Sequence, residues 1–473
     1  MKSNEFTDYT LMHRRELEEL LASEEWQKVI KTGLVDEVRD GRIEPKKVRN
    51  YVDTVVEQLV EFNEGKVKEV IRQGKTDEAY LLEVLSQWPD NLNGKNTRLS
   101  FFGINLSTKC NFYPNKCVYC NQAEVSAIED MNVWKRVLKE VTADSGEQGP
   151  YVYFTGGEPL LLEDRLYGDD GLVRYATEHG AGVNINTNAT MLTPEVALRL
   201  IKSGLAKLHI SFDSPERDIQ NYLYKSEAAG EDRFEMLLRG IYNVQIARDL
   251  VMVSYPVIHT NFVLNNLNFR QFPDMLNFII SKRKRVTKEN PIIQDLMTHV
   301  IPMGGHGSND ALRLTEEEFR EFYTEIWDKA KQIWADHQQE FPETSRITLF
   351  GYFSSPFERV KHVGGLDAYA VTSAEGVYSK LALLGRCYVA PTQAAIAPDG
   401  TQYLCGSHAI HQHSAVGNIS ERGVYDNIRA SIPLLSKLSQ EDYCGNCALA
   451  TLYINQNVES RLKEKISVWV KKS

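Results

Sequence analysis

Long apolar runs are missing from this sequence. No part of its 473 residues approaches the roughly 18 consecutive apolar residues that a membrane-spanning helix needs. The first six residues, MKSNEF, also lack the apolar segment of a secretory signal. We therefore expect a cytoplasmic protein that has no membrane partner.

An excess of positive charge is missing as well. The chain holds 54 Lys and Arg residues against 64 Asp and Glu residues, which gives a formal net charge of −10. An acidic protein repels phosphate backbones, so we expect no nucleic acid among its partners. Hydrophobic residues make up 42% and charged residues 25% of the chain, and these ordinary values exclude a mostly disordered or a collagen-like protein.

Cysteine is scarce, and its placement is more informative than its number. Seven cysteines, an odd count, are few for this length, so a framework of disulfide bonds is not expected in a cytoplasmic chain. They form one group of three and one group of four: Cys110, Cys117 and Cys120 in the first, and Cys387, Cys405, Cys444 and Cys447 in the second.

Between residues 98 and 340 the sequence alternates strand and helix patterns six times. Such alternation is typical of parallel strands joined by crossover helices. Six units of about 40 residues fit an incomplete barrel better than an eight-unit barrel, which typically needs about 250 residues or more. The sequence therefore predicts the α/β class, with a partial (β/α)6 TIM-like barrel whose reacting groups lie at the carboxyl ends of the strands.

The segments on either side of this region have different patterns. Residues 1–97 repeat apolar residues at helical spacing, which predicts a helical N-terminal extension. Residues 341–473 contain two strand-like segments around Asp399-Gly400, which predicts a β-hairpin, and they end in a helical pattern. We therefore expect three domains, which cover residues 1–97, 98–340 and 341–473.

The first cysteine group has the spacing Cys-x6-Cys-x2-Cys and directly follows the first predicted strand. Thiolates bind soft metals, so zinc and iron–sulfur clusters are the candidates. Structural zinc takes four closed ligands, whereas three cysteines leave one iron of a four-iron cluster without a protein ligand. Spacing alone leaves three alternatives open: an iron–sulfur cluster, zinc with a fourth ligand from elsewhere, and buried structural thiols.

Three polar motifs follow the next three predicted strands. Gly156 to Pro159 provides two glycines that allow close approach of a ligand, and Glu158 can accept a hydrogen bond from an ammonium group. Asn186 to Asn188 ends the third strand, and Ser211 to Ser214 offers a hydroxyl and a carboxylate suited to ribose. Each motif alone is compatible with an ordinary loop. Together, at neighbouring strand ends behind three cysteines, they indicate one site.

This combination resembles the radical S-adenosylmethionine superfamily over residues 99–305. The resemblance implies that Cys110, Cys117 and Cys120 hold a 4Fe-4S cluster, whose fourth iron is chelated by the methionine moiety of S-adenosyl-L-methionine. It also implies that further residues bind this cofactor: Tyr119, Gly156, Gly157, Glu158, Pro159, Asn188, Ser211, Asp213 and Ile301. The first gap departs from the usual Cys-x3-Cys, because it holds six residues. This departure leaves the ligands unchanged and affects the subfamily assignment.

The second cysteine group is compatible with a zinc ribbon, because four cysteines in pairs make a good structural zinc site. Beside the first group, however, it resembles the SPASM/twitch domain, with Cys387, Gly400-x4-Cys405 and a final Cys-x2-Cys pair. The resemblance implies an auxiliary 4Fe-4S cluster. A cluster with four protein ligands has no open iron, so its simplest role is electron transfer, which indicates an oxidation.

Three histidines, His408, His411 and His413, follow Cys405. They are compatible with a polar loop beside the cluster, with proton acceptors at the barrel mouth, or with a metal site. We keep them as candidate catalytic residues.

The resemblance implies a radical enzyme that cleaves S-adenosylmethionine, removes a substrate hydrogen atom and oxidises or cross-links the substrate. The substrate is either a small molecule or a ribosomal peptide of natural-product biosynthesis, and a flavodoxin or ferredoxin supplies electrons. Two alternatives remain open at this point: a redox-neutral radical lyase or decarboxylase, and a non-catalytic protein that binds zinc or iron–sulfur clusters.

Overall fold

A computed structural model describes residues 15–92, 96–120, 122, 125–283, 295–300, 309–340, 387–406, 409, 415–435 and 449–473. Within these residues, no helix combines the length and the apolarity that crossing a membrane requires.

The strands of the described residues form two sheets. A small sheet pairs β1 with β3 in parallel, and a nine-stranded sheet has the order β11-β10-β9-β2-β4-β5-β6-β7-β8. The strands are β1 Lys47–Val48, β2 Phe101–Asn105, β3 Gln148–Gly149, β4 Tyr151–Thr155, β5 Gly182–Thr187, β6 Lys207–Ser211, β7 Val257–Leu264, β8 Asp295–Val300, β9 Gln393–Ile396, β10 Thr401–Tyr403 and β11 Ala415–Asn418.

Strands β2, β4, β5, β6, β7 and β8 are neighbours in this order, and every pair is parallel. Because the chain passes through a helical segment between successive members, their carboxyl ends lie at one edge of the sheet. These six strands confirm the predicted α/β class and partial barrel.

The sheet does not end at β2. Strand β9 pairs with β2 in parallel, and β10 and β11 continue the sheet in antiparallel order. The predicted hairpin is therefore present in β9 and β10, but it extends the barrel sheet. All four residues of β9 are buried, so the strand lacks the alternating pattern that would have shown which face it covers.

Helices of the described residues follow most of the barrel strands, and further helices lie before β2 and after β11 in the chain. Side-chain caps start several of them: Asn50 accepts from the backbone N–H of Asp53, and Thr193 precedes a proline at the first helical position. The helices are Glu24–Lys31, Leu34–Gly41, Tyr51–Arg72, Glu78–Leu85, Met131–Val141, Asp164–Tyr167, Leu172–Glu178, Pro194–Lys202, Arg217–Leu223, Ser226–Ala229, Arg233–Val251, Phe272–Arg283, Glu316–Glu321, Trp327–Glu340, Val424–Leu435 and Leu449–Lys472.

Two large apolar cores and one small cluster of Ala390, Leu404 and Val416 hold the described elements together. The larger core lies between the barrel strands and their helices, and it includes Trp26, whose indole N–H donates to Asn243 Oδ1 at 2.8 Å. The second core joins helices Tyr51–Arg72 and Glu78–Leu85 to the C-terminal helix Leu449–Lys472. The N-terminal helices therefore contact both the barrel and the C-terminal helix.

Candidate functional site

The cysteine loop and the three motifs meet at the carboxyl edge of the barrel sheet. The loop with Cys110, Cys117 and Cys120 follows β2, and the motifs follow β4, β5 and β6. Since these four strands are consecutive in the sheet, their loops are also neighbours.

The double glycine fits against the cysteine loop. The backbone N–H of Gly157 donates to Ser107 O at 2.7 Å, and the N–H of Glu158 donates to Lys109 O at 2.8 Å. A Cβ atom would lie 2.3 Å from Ser107 O at Gly156 and 2.0 Å from Lys109 O at Gly157. Gly156 also has a φ of 145°, which side chains rarely adopt. These glycines therefore allow two loops of the chain to touch. The sequence analysis assigned them to the close approach of a ligand and did not reveal this contact.

Glu158 lies under this contact and is 1% exposed. Its Oε1 accepts from Leu160 N at 3.1 Å and Thr187 Oγ1 at 2.8 Å, and its Oε2 accepts from Asn188 N at 2.9 Å. Burial raises the pKa of Glu158 to about 7, although the three hydrogen bonds oppose this change. A carboxylate has about four acceptor positions, so Oε2 keeps the capacity for one further donor. Its predicted contact with an ammonium group remains a prediction.

Asn188 connects the end of β5 to the cysteine loop. Its Nδ2 donates to Asn111 Oδ1 at 2.8 Å, while its Oδ1 accepts from the Thr190 hydroxyl at 2.7 Å. Asn111 Nδ2 in turn donates to Thr190 Oγ1 at 3.0 Å. Three side chains thus form a closed ring of hydrogen bonds. Asn111 and Thr190 were missed by the sequence analysis, because their role depends on contacts about 80 positions apart.

Tyr119 and Asp213 are in direct contact. The phenol of Tyr119 donates to Asp213 Oδ2 at 2.5 Å, and Asp213 Oδ1 accepts from Val263 N at 2.8 Å. Asp213 is fully buried, and burial raises its pKa to about 6. Burial, followed by the nearby Asp213 charge, raises the pKa of Tyr119 far above its usual value. Both Asp213 oxygens thus have donors within the protein, whereas Ser211 stays partly exposed. Their ribose contacts remain predictions.

The thiols of the first group lie within a tightly turned loop. Cys110 O accepts from Tyr113 N, and Cys117 O accepts from Cys120 N, each at 3.0 Å. Burial raises the pKa of Cys110 to about 11 and that of Cys117 well above the usual range, and the neighbouring Cys120 raises both further. Metal binding to Cys110 and Cys117 would therefore release their protons.

This set of donors fits an iron–sulfur cluster. In a 4Fe-4S cluster each thiolate binds a different iron, and three soft donors in one loop leave one iron open. Among the described residues, no three His, Cys, Asp or Glu side chains form a group that could hold a metal ion. We therefore base the fit on the chemistry of the three thiols.

The barrel interior carries polar and aromatic side chains. Tyr151 Oη lies 3.4 Å from His209 Nε2, and the rings of Tyr153 and His209 are 5.6 Å apart, although β5 lies between their strands. His209 also lies 5.3 Å from the ring of His259 on β7. Asn184 on β5 is fully buried, and both atoms of its amide lack a hydrogen-bond partner. The sequence carried one signal for this polar interior surface: polar residues alternate with apolar residues in β5 and β6.

The second cysteine group is only partly within the described residues. Cys387 is partly buried beside Ala390 and Leu404, and Asn455 Nδ2 lies 4.0 Å from its sulfur. Cys405 follows β10 and is also partly buried. Six other candidate residues lie outside the described part of the chain: Cys444, Cys447, His408, His411, His413 and Ile301.

Curated proteins with similar sequences are known. The chain is 25% identical over 297 residues to mycofactocin maturase MftC of Mycobacterium tuberculosis, a match that covers 63% of this chain and 62% of that protein. It is 30% identical over 187 residues to the PqqA peptide cyclase of Rhodopseudomonas palustris, covering 38% of this chain and 43% of that protein. The chain thus spans less than two thirds of the length of these relatives.

A solved structure, that of Streptococcus suis SuiB bound to S-adenosylmethionine, superposes with a TM-score of 0.48. This superposition covers 76% of this chain and 74% of SuiB, at 17% sequence identity.

The family comparison covers the site itself. Residues 104–279 match the model of the radical SAM superfamily. The matched segment begins within β2 and includes the three cysteines and all three strand-end motifs. Residues 104–279 of this chain therefore form a radical SAM domain.

Proposed function

We propose that this chain is a peptide-modifying radical SAM enzyme that oxidises or cross-links its substrate in natural-product biosynthesis. One observation carries the proposal: the cysteine loop, the glycine pair and the ends of β5 and β6 are joined by direct hydrogen bonds at one sheet edge. The radical SAM family binds a 4Fe-4S cluster and S-adenosylmethionine, which together supply a carbon radical that removes a hydrogen atom from the substrate.

The side chains at this edge have distinct tasks in the proposal. Cys110, Cys117 and Cys120 hold the cluster. Glu158 keeps the chain after β5 in place through Asn188, and its remaining acceptor position would accept a hydrogen bond from a cofactor amine. Tyr119 is oriented by Asp213, which fixes the aromatic ring beside the last cysteine.

The peptide is favoured as substrate by two features. Two relatives of this chain are a maturase and a peptide cyclase. The barrel interior also carries the imidazole groups of His209 and His259, which suit the amide groups of a peptide better than an apolar compound.

The C-terminal part supports an oxidative outcome. We propose that Cys387, Cys405, Cys444 and Cys447 hold an auxiliary 4Fe-4S cluster in a SPASM/twitch-like domain of residues 341–473, following the helical extension of residues 1–97 and the barrel domain of residues 98–340. Such a cluster, when bound, would supply an acceptor for the electron that the substrate loses, and His408, His411 and His413 are the candidate proton acceptors. A cytoplasmic flavodoxin or ferredoxin supplies the electron for each turnover.

Anaerobic iron and sulfide analysis tests the two-cluster proposal. The purified protein is expected to hold about eight irons, and the Cys110, Cys117 and Cys120 triple Ala variant about four. Zinc in place of iron, or the same iron content in both proteins, contradicts the proposal.

Product analysis tests the oxidative outcome separately. A product with two electrons fewer than the substrate, formed by wild-type protein and lost with Cys387→Ala, is expected. A product at the oxidation level of the substrate indicates a redox-neutral lyase or decarboxylase instead.

A further inference from the structure

One buried cation contacts the segment between the first two cysteines. Arg233 is 3% exposed, and its Nη1 donates to the carbonyls of Asn115 at 3.0 Å and Tyr224 at 2.5 Å. Its guanidinium carbon lies 3.8 Å from the ring centroid of Phe112. A single side chain therefore holds two residues of this six-residue segment, one by a hydrogen bond and one by a cation–π contact.

The cysteine loop is attached to the chain after β6 at two further points, one within this segment and one directly after Cys117. Asn115 Nδ2 donates to Ala228 O at 3.1 Å, and Val118 N donates to Leu223 O at 2.9 Å. Arg233 lies among these contacts, because its backbone N–H donates to Ser226 Oγ at 3.3 Å. Ordering each added residue of a loop costs conformational entropy, so a longer loop needs additional contacts to be fixed. The contacts of Arg233 meet this need.

The charge of Arg233 is only partly balanced. Its carboxylate partner, Glu231, lies 3.2 Å from Nε and is half exposed, while the Nη1 group faces carbonyl oxygens. A buried charge keeps a stronger electrostatic effect than a charge in water. Arg233 contacts Phe112, which lies two positions after Cys110, and Asn115, which lies two positions before Cys117, so its charge lies close to both cysteines.

We propose that Arg233 is the positioning residue of the cluster loop. It fixes the segment between Cys110 and Cys117 through Phe112 and Asn115, and its positive charge stabilises the more negative, reduced state of the cluster held by these cysteines. The positioning half of this inference concerns the protein alone, whereas the electrostatic half rests on the proposed cluster.

Three variants separate shape from charge. Arg233→Gln removes the charge, and Arg233→Lys keeps the charge but loses the planar guanidinium that contacts the ring and the carbonyls together. Arg217→Gln is the matched control, because Arg217 also lies over a ring, that of Phe234, but is 51% exposed and pairs with acidic side chains outside the cysteine loop.

The first measurement is amide hydrogen exchange on the iron-free proteins over residues 110–118. Both Arg233 variants are expected to exchange about tenfold faster there, as the loss of about one buried hydrogen bond predicts. Arg217→Gln is expected to match the wild type. Unchanged exchange in a folded Arg233→Gln protein, checked by circular dichroism, overturns the positioning role.

The second measurement is the reduction potential of the cluster whose electron paramagnetic resonance signal changes when S-adenosylmethionine is added. The potential is expected to become more negative in Arg233→Gln and to stay near the wild-type value in Arg233→Lys. Equal potentials in Arg233→Gln and wild type overturn the electrostatic role. Failure of the proposed function is recognised separately, because wild-type protein then shows no such signal.

Discussion

At the scale of single residues, burial determines how Glu158 responds to pH. The pKa of its carboxyl rises from 4.5 to about 7 on folding, so the folded state favours the protonated form. Its contribution to stability is complete below about pH 4.5 and is lost as the pH rises through 7. The shift corresponds to about 3 kcal/mol.

We therefore predict that the free energy of unfolding of the iron-free wild type falls by up to about 3 kcal/mol between pH 5 and pH 8, relative to Glu158→Gln. The difference between the two proteins isolates this group, since all other titrating groups are shared. Urea unfolding at both pH values measures it. If the difference in the free energy of unfolding between wild type and Glu158→Gln does not change with pH, the raised pKa of Glu158 is contradicted.

Gly157 provides a second prediction at this scale. A Cβ atom at this position would lie 2.0 Å from Lys109 O, so Gly157→Ala is expected to displace the cysteine loop and to destabilise the protein by about 1–3 kcal/mol. Gly65→Ala is the control, because Gly65 lies in helix Tyr51–Arg72 with no atom within 4 Å of the added methyl group. The control is expected to be stabilised by up to about 1 kcal/mol. Thermal unfolding measures the change in stability, and iron retention measures the displacement of the cysteine loop. Equal stability and equal iron retention in Gly157→Ala and Gly65→Ala exclude the close contact between Gly157 and Lys109 O.

At the scale of elements, the loop after β5 holds the cysteine loop through side chains. Thr190→Val keeps the shape of the side chain but removes the hydroxyl that bonds to Asn188 and Asn111. We predict a loss of about 1–3 kcal/mol of stability and faster release of iron to a chelator. Thr324→Val is the control, because this hydroxyl donates to a backbone carbonyl only four positions earlier, Arg320 O, and lies outside the cysteine loop and the strand-end motifs. Iron release at the wild-type rate from Thr190→Val argues against the connection.

The elements themselves were largely predictable, and their contacts were not. Strand β7, Val257–Leu264, is one of the six strands that the sequence alternation predicts between residues 98 and 340, because the strand pattern is local. The pairing of β9 with β2 joins strands nearly 300 positions apart, and no local pattern encodes it. The same reason explains the site: thiols and strand-end motifs could be recognised as residue types, whereas the contact of Tyr119 with Asp213 and the position of Arg233 depend on packing between elements.

At the scale of the whole molecule, the C-terminal helix is part of a core shared with the N-terminal helices. Leu462 is fully buried in this core, which also includes Tyr388 beside Cys387. We predict that Leu462→Ala destabilises the protein by about 2–5 kcal/mol. It should also lower iron occupancy at the second cysteine group more than at the first.

The control for this prediction lies on the same helix. Val468 is 47% exposed, so Val468→Ala is expected to change stability by less than about 0.5 kcal/mol. Iron analysis of Leu462→Ala in the Cys110, Cys117 and Cys120 triple Ala background reports the second group alone. Full iron occupancy in that background would show that the shared core does not support iron binding at the second cysteine group.

We propose that the carboxyl edge of the barrel holds a cluster at which S-adenosylmethionine would be cleaved. The most direct test of this central claim is the formation of 5′-deoxyadenosine by anaerobically reconstituted, reduced protein, with the Cys110, Cys117 and Cys120 triple Ala variant beside it. We predict 5′-deoxyadenosine with the wild type and none with the variant. No 5′-deoxyadenosine from an iron-loaded wild type, or equal amounts from both proteins, contradicts the claim.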